Sequence, residues 1–571
     1  MKNPDFLPMS REEMKKLGWD SLDVLLITGD AYVDHPSFGA ALIGRFLLSK
    51  GWKTGIIAQP DWKNPESLQK MGTPRLACAV TSGNMDSMVN MYTAGRRLRK
   101  EDMYSPGART GLRPPHAVSV YSQLARSAFP GTPVIAGGLE ASLRRVAHYD
   151  YWQDKIRPSA LVDSKADILV YGMGEKATET IMERLSRGES LEKIRGTAVF
   201  LGGKASKVFV PGTDYVSLPS YEELLSNPDA LMESTLTVER EINPHCGKGL
   251  LQIYGERLLL IEPPAEPLSV VEMDDVYALP FSRKPHPSYK EKIPAFDAVK
   301  DSICAVRGCP GGCSFCGLVS HQGKFISSRS CSSILKEVSN LASLKDFKGI
   351  ISDIGGAAGN IYASGPRDPA KCRTCKKTSC LFPSICPNFN AAEAPLSELL
   401  REALKVPGVR KIFINSGIRL DLACRQKNLM KQIVREHVSG HMKVAPEHLH
   451  PEVLRLMRKN PAEDFYKFME FFEEESRKAG KEQYLIPLFI SNFPGCTTSE
   501  MKVVDDFLNR NNWSPQQVQD YIPLPMTMAA AMYYTGKSFD GTPIVVNRGL
   551  AERREQIKVL KKKRGRPARR S

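Results

Sequence analysis

The stretch RGCPGGCSFCGL, Arg307 to Leu318, sets three cysteines within eight residues and wraps them in glycine. Thiols spaced C-x3-C-x2-C converge on one point only where the backbone folds tightly around a metal, and Gly308, Pro310, Gly311 and Gly312 supply the turn-forming freedom. A structural zinc site needs four ligands. Three thiolates suit a cubane iron–sulfur cluster whose remaining iron is open to another ligand. Cys304, five residues upstream, is the alternative fourth ligand of a closed zinc or iron–sulfur site. It falls inside the strand-like run SICAVRG, so it is expected in the core instead.

Around this loop the chain alternates strands and helices. The runs AVKDSICAVRG, KGIISDIGG, RKIFINSG, HMKVAPEH and QYLIPLFISNFPG read as strands, separated by helical patterns near 331–344, 395–405, 422–437, 451–457 and 461–478. Repeated strand–helix units fit an open sheet or a whole or partial barrel with its chemistry at the strand carboxyl ends. An earlier alternation, DVLLITGD, TGIIAQP, RLACAVTS, PVIAGG and ADILVYG, predicts a doubly wound parallel sheet. Between them, 195–295 is rich in proline and loop-like. The expected organisation is an N-terminal α/β domain with its linker over 1–295, a core over 296–545 and a tail over 546–571.

An insertion over 366–390 carries Cys372, Cys375, Cys380 and Cys386, spaced C-x2-C-x4-C-x5-C. Four thiols this close point to metal, either a second iron–sulfur cluster or zinc. The flanking Lys371, Arg373, Lys376 and Lys377 are expected to favour the thiolate form.

Composition narrows the class. Thirteen cysteines, eight of them in these two groups when Cys304 is counted with the first, read as metal ligands of a reducing cytoplasm rather than as disulfides. No apolar run approaches the roughly 18 residues that cross a bilayer, and the charged N-terminus lacks a signal peptide's apolar core, so a cytoplasmic protein is expected. Of the net charge of +16, +9 lies between Arg548 and Ser571, which reads as a solvated, disordered basic tail. Within it Arg564, Gly565, Arg566 and Pro567 resemble an A·T-hook core, a hint of nucleic acid.

With Phe315 directly before the last cysteine, the triplet resembles the signature of radical S-adenosylmethionine (SAM) enzymes. From LITGDAYVDHPSFG to YIPLPMTMAAAMYYTG the chain is similar to the YgiQ family of that superfamily. The resemblance implies a partial TIM-barrel core in which Cys309, Cys313 and Cys316 bind a 4Fe-4S cluster and its open iron chelates SAM. It also implies an electron donor, reductive cleavage of SAM to a 5′-deoxyadenosyl radical, and an unknown substrate. Gly355 and Gly356 of DIGG would meet the SAM amino group, with Ser416 and Arg419 of INSGIR near its ribose and carboxylate. Ala357 stands where the superfamily's Gly-Gly-Glu has its acid, and KVAPEH brings Glu447 and His448 into the same set.

KVAPEH and NFPGCT also resemble RNA methylthiolating enzymes, an alternative within the class. Outside it, the alternative is a zinc-organised nucleic-acid-binding protein. The N-terminal sheet is similar in layout to cobalamin-binding domains through GGLEAS and YGMGE. The D-x-H-x-x-G motif is absent, since His35 directly follows Asp34 and Gly39 comes four residues later, so cobalamin is not expected.

Overall fold

The computed structural model describes residues 4–203, 212–515 and 517–564. The chain forms two compact units. One runs to Lys300 and includes Ser320–Gln322; the other holds Asp301–Val319 and the chain from Gly323 onward.

In the first unit, five parallel strands stand in the order Thr54–Ala58, Val24–Thr28, Ala77–Thr81, Val134–Gly137, Ile168–Val170. Val24–Thr28 is buried along its whole length, as a central parallel strand covered on both faces must be, which is why it reads as a continuous apolar run. Gly39–Ser49, Ala117–Ala128 and Glu175–Arg187 are among its helices. Strand order reverses between Val24–Thr28 and Ala77–Thr81, the switch point at which doubly wound sheets take ligands. The chain's own side chains occupy part of that edge: buried Arg113 pairs with Asp30 at 2.8 Å and Asp102 at 3.3 Å.

The loop-like reading of 195–295 needs correction. Four further strands extend the sheet: Thr197–Leu201, Arg257–Ile261, Gly249–Tyr254 and Tyr215–Ser217. Gly249–Tyr254 and Arg257–Ile261 form an antiparallel hairpin turned at Gly255, with a positive φ of 56°. The proline-rich stretch is docked, since Lys284–Pro285 pairs with Val33–Asp34. Proline punctuated the sequence pattern without breaking the pairing because it falls between ladders or at a two-residue edge.

The second unit is a partial barrel of parallel strands. Ser302–Cys304 pairs with Asp353–Gly355, and Ile350–Ile351 with Lys411–Ile412. A parallel bridge from Ile418 to Val444 carries the arc to His441–Glu447, which is followed by Tyr484–Ser491 and Val518–Asp520. Helices Cys331–Ala342, Ala394–Leu404, Lys427–Glu436, Ala462–Lys478 and Thr498–Arg510 fall between strands in sequence. Neighbours among these parallel strands follow chain order, so their carboxyl ends lie at one rim.

The tail also departs from expectation. Leu550–Lys561 is a helix whose Arg553 and Gln556 are buried. Arg553 pairs with Asp520 at 2.8 Å. The Gln556 side chain accepts from the Asn492 amide and donates to the Cys496 carbonyl, both at 2.7 Å. Arg564 is tied to Asp505 at 2.5 Å, so this first residue of the hook-like tetrad is engaged with the protein. Gly565, Arg566 and Pro567 lie outside the described residues. Gln556→Ala would leave the buried Asn492 amide without its partner and strip the Cys496 carbonyl of one of its two side-chain donors, the other being Asn547 Nδ2 at 2.8 Å. It is expected to cost about 1–3 kcal/mol, read as a lower urea midpoint with unchanged slope.

No helix among the described residues is long and apolar enough to cross a membrane.

Candidate functional site

The cysteine loop leaves the first barrel strand at the rim, and hydrogen bonds pin it on several sides. The Cys309 amide donates to Gly323 O and that of Cys316 to Cys313 O, each at 3.1 Å. Buried Ser314 donates from its amide to Met457 O at 3.0 Å and from Oγ to Leu456 O at 2.7 Å. The three thiols lie close enough that their charges oppose one another, and burial pushes Cys309 up and Cys316 up to about 12. Burial thus favours the protonated form of Cys309 and Cys316; a bound metal would draw the protons off. Among the described residues, no three or more His, Cys, Asp or Glu are placed to hold a single metal ion. Cys304 turns its thiol to Val306 O at 3.7 Å.

One cation stands over the loop. Arg419 Nη1 is 3.8 Å from Cys313 Sγ, while Nε and Nη2 fork onto Asp421 at 3.1 and 2.5 Å. Burial would lower the guanidinium's pKa, but the Asp421 carboxylate and the thiols raise it well above its usual value. Gly311 permits this approach, because a side chain there would collide with the guanidinium. Arg419 thus faces the thiols as well as the rim, a role the sequence pattern did not show.

The neighbouring strand ends complete the rim. Asp353 accepts from the amides of Asn415 (2.8 Å) and Ser416 (3.1 Å) and from Ser416 Oγ (2.5 Å), joining the second and third strands. Gly355 is buried beneath Ser416, and Gly356 is exposed. Ala357, in the acid's place, leaves Asp353 as the carboxylate of this strand end; its burial raises the pKa. Phe315 packs edge-to-face on Phe493 at 6.3 Å. Glu447 ends the fourth strand in the left-handed region, φ 66°, buried and with a raised pKa. A non-glycine residue held there stores strain of a kind that gathers at functional sites. His448 does not join it: wholly buried, its Nε2 lies 3.5 Å from Cys496 Sγ, and burial lowers its pKa to about 3.

Cys372, Cys375, Cys380 and Cys386 line one pocket together with Lys324, Phe325, Ile326 and Phe389. The expected help from Lys371, Arg373, Lys376 and Lys377 is not seen at Cys372 and Cys380, where burial raises the thiol pKa, to about 11 for Cys380. The nearby cation that acts is Lys324, 56 residues before Cys380 in sequence and invisible to local patterning.

The Radical SAM N-terminal family model matches residues 6–302. A UPF0313 protein of Rhodopseudomonas palustris is 44% identical over 584 residues, covering 99% of this chain and 86% of that protein. Another, from Geobacter sulfurreducens, is 46% identical over 97% of this chain and 92% of its own. Among solved structures the chain is similar to the radical SAM methyltransferase TsrM of Kitasatospora setae. The TM-score is 0.50 at 15% identity, over 88% of this chain and 75% of that one.

A further TsrM structure contains cobalamin and a [4Fe-4S] cluster. OxsB, another structural neighbour, is a cobalamin-dependent SAM radical enzyme. The expectation against cobalamin is corrected on this ground: the chain shares its fold with TsrM, a protein whose structure holds cobalamin. His35 is buried, and its Nδ1 accepts from the Ser37 amide at 3.1 Å, as in a turn. With a family model over more than half its length and relatives this similar from end to end, the chain belongs to the UPF0313 family of radical SAM proteins.

Proposed function

We propose that the barrel rim binds a 4Fe-4S cluster through Cys309, Cys313 and Cys316, takes SAM at the open iron, and uses it on a substrate held at the same rim. The grouping of three thiols, Cys309 buried and Cys313 and Cys316 half-buried, on a glycine loop at the strand carboxyl ends carries this reading. Held by Cys309, Cys313 and Cys316 and reduced by an external electron donor, the cluster would supply one electron for the reductive cleavage of SAM, chemistry that would serve hydrogen abstraction from a substrate. The protein's part is placement and charge. Ser314 fixes the loop to the Pro451–Met457 helix, and Arg419, steadied by Asp421, offsets the negative charge of ligated thiolates. Asp353 orients Ser416 toward the SAM side of the rim. Phe315 and the strained Glu447 wall the space in which water must be kept from a radical.

Anaerobic protein incubated with SAM and dithionite is expected to release 5′-deoxyadenosine and methionine in equal amounts, measured by chromatography and mass spectrometry. Colourless protein that contains zinc without iron, and leaves SAM intact, would instead establish the zinc-organised alternative.

A further inference from the structure

The insertion between the second and third barrel strands has little to hold it in shape. Across residues 367–388 the regular structure is one helix, Pro369–Arg373, closed below by the two-residue ladder of Gly365–Pro366 with Phe389–Asn390. Its apolar support is a small cluster in which Leu381 and Phe389 meet Val306, Ile361 and Leu422. A loop this long without a core of its own needs a staple.

The staple is chemically legible. The four thiols line one pocket, and Lys324 lines it with them. Lys324 is 5% exposed, and its ammonium donates to two carbonyls, Cys375 O at 3.0 Å and Lys377 O at 2.7 Å. Carbonyls solvate a buried cation without neutralising it, and burying such a charge without an anion is costly. The groups in the pocket able to supply negative charge are the cysteines, and four of them become thiolates together only on a metal. Single-ion geometry is not what they present. Thiolates about 2.3 Å from one zinc stand about 3.8 Å apart, and the described residues hold no such grouping, whereas a cubane spreads its ligands more widely.

We propose that Cys372, Cys375, Cys380 and Cys386 hold a second four-iron cluster, fully ligated by protein and closed to SAM, with Lys324 as its counter-charge. Each thiol gives up its proton on ligation, and the net charge of a cubane bearing four thiolates is partly balanced by the ammonium. The site also buttresses the SAM-binding loop. The Cys380 amide donates to Pro310 O at 2.9 Å, and Ser379 Oγ donates to Gly311 O at 2.6 Å.

Metal analysis separates this centre from the first. Anaerobically purified full-length protein should contain about eight iron and eight sulfide per chain, and the C309A/C313A/C316A variant about four of each. The signal of that reduced variant in electron paramagnetic resonance should not change when SAM is added. Four iron in the wild type and none in the triple variant would overturn the second cluster. One zinc retained by the triple variant and lost in C372S/C380S would also overturn it. Four iron retained unchanged in the triple variant would leave the second cluster standing and remove the first. Lys324→Met, folded by circular dichroism, is expected to shift the second cluster's midpoint potential to a more negative value, because reduction would then add charge with no cation beside it. An unmoved potential would strip Lys324 of its role.

Discussion

Cys313→Ala should reduce 5′-deoxyadenosine formation by at least about a hundredfold while leaving the circular dichroism of the protein unchanged. The size follows from rank. Groups that merely orient a metal's ligands cost about ten- to a hundredfold when removed, so losing one of three ligands must cost more. Arg419→Met supplies the comparison. It keeps the thiols but removes the charge 3.8 Å from Cys313 Sγ, so a loss of about ten- to a hundredfold is expected, with a more negative midpoint potential for the SAM-binding cluster. Cys304→Ser should be close to wild type, since that thiol already bonds to Val306 O. If C304S lost iron as completely as C313A, the three-ligand assignment would fail and a closed site would take its place.

What could be read from the chain divides by range. The parallel strands of both units were visible because a strand buried on two faces must be apolar along its length, as Val24–Thr28 and Ile168–Val170 are. The cysteine loop was visible because its chemistry is local: three ligands and their glycines within ten residues. The antiparallel extension at 197–261 escaped notice because proline and glycine masked it, although the hairpin GLLQIYGERLLLI carries its own turn. Val518–Asp520, three mixed residues, owes its strand state to pairing with Phe489–Ser491, a tertiary cause. The same holds for side chains. The INSGIR motif implies a SAM contact for Arg419, but its position over Cys313 depends on Gly311, 108 residues earlier in the chain. Lys324 and the Leu550–Lys561 helix likewise declare themselves only through partners distant in sequence.

Arg113 makes that dependence measurable in stability. Its side chain is 1% exposed and bridges Asp30 and Asp102, while Nη1 donates to Ser82 O at 2.6 Å. Arg113→Met would leave two buried carboxylates facing each other with no cation between them, at an expected cost of about 3–5 kcal/mol near neutral pH. The pH dependence has a definite sign. Burial already raises the Asp30 pKa above its ordinary 3.8, against the pull of Arg113. Without the guanidinium it must rise further. A carboxyl whose folded pKa exceeds its unfolded one binds more protons in the folded state, so stability falls as pH climbs from the unfolded pKa through the folded one. The variant's deficit should therefore be largest at neutral pH and shrink as pH is lowered toward 3.8, measured as the urea midpoint at several pH values. Adding Asp30→Asn and Asp102→Asn to Arg113→Met should recover part of the loss and flatten the profile, because the cost lies in stranded charge rather than in lost volume. A deficit that stayed constant with pH, or persisted in full in the triple variant, would show that Arg113 acts by packing alone.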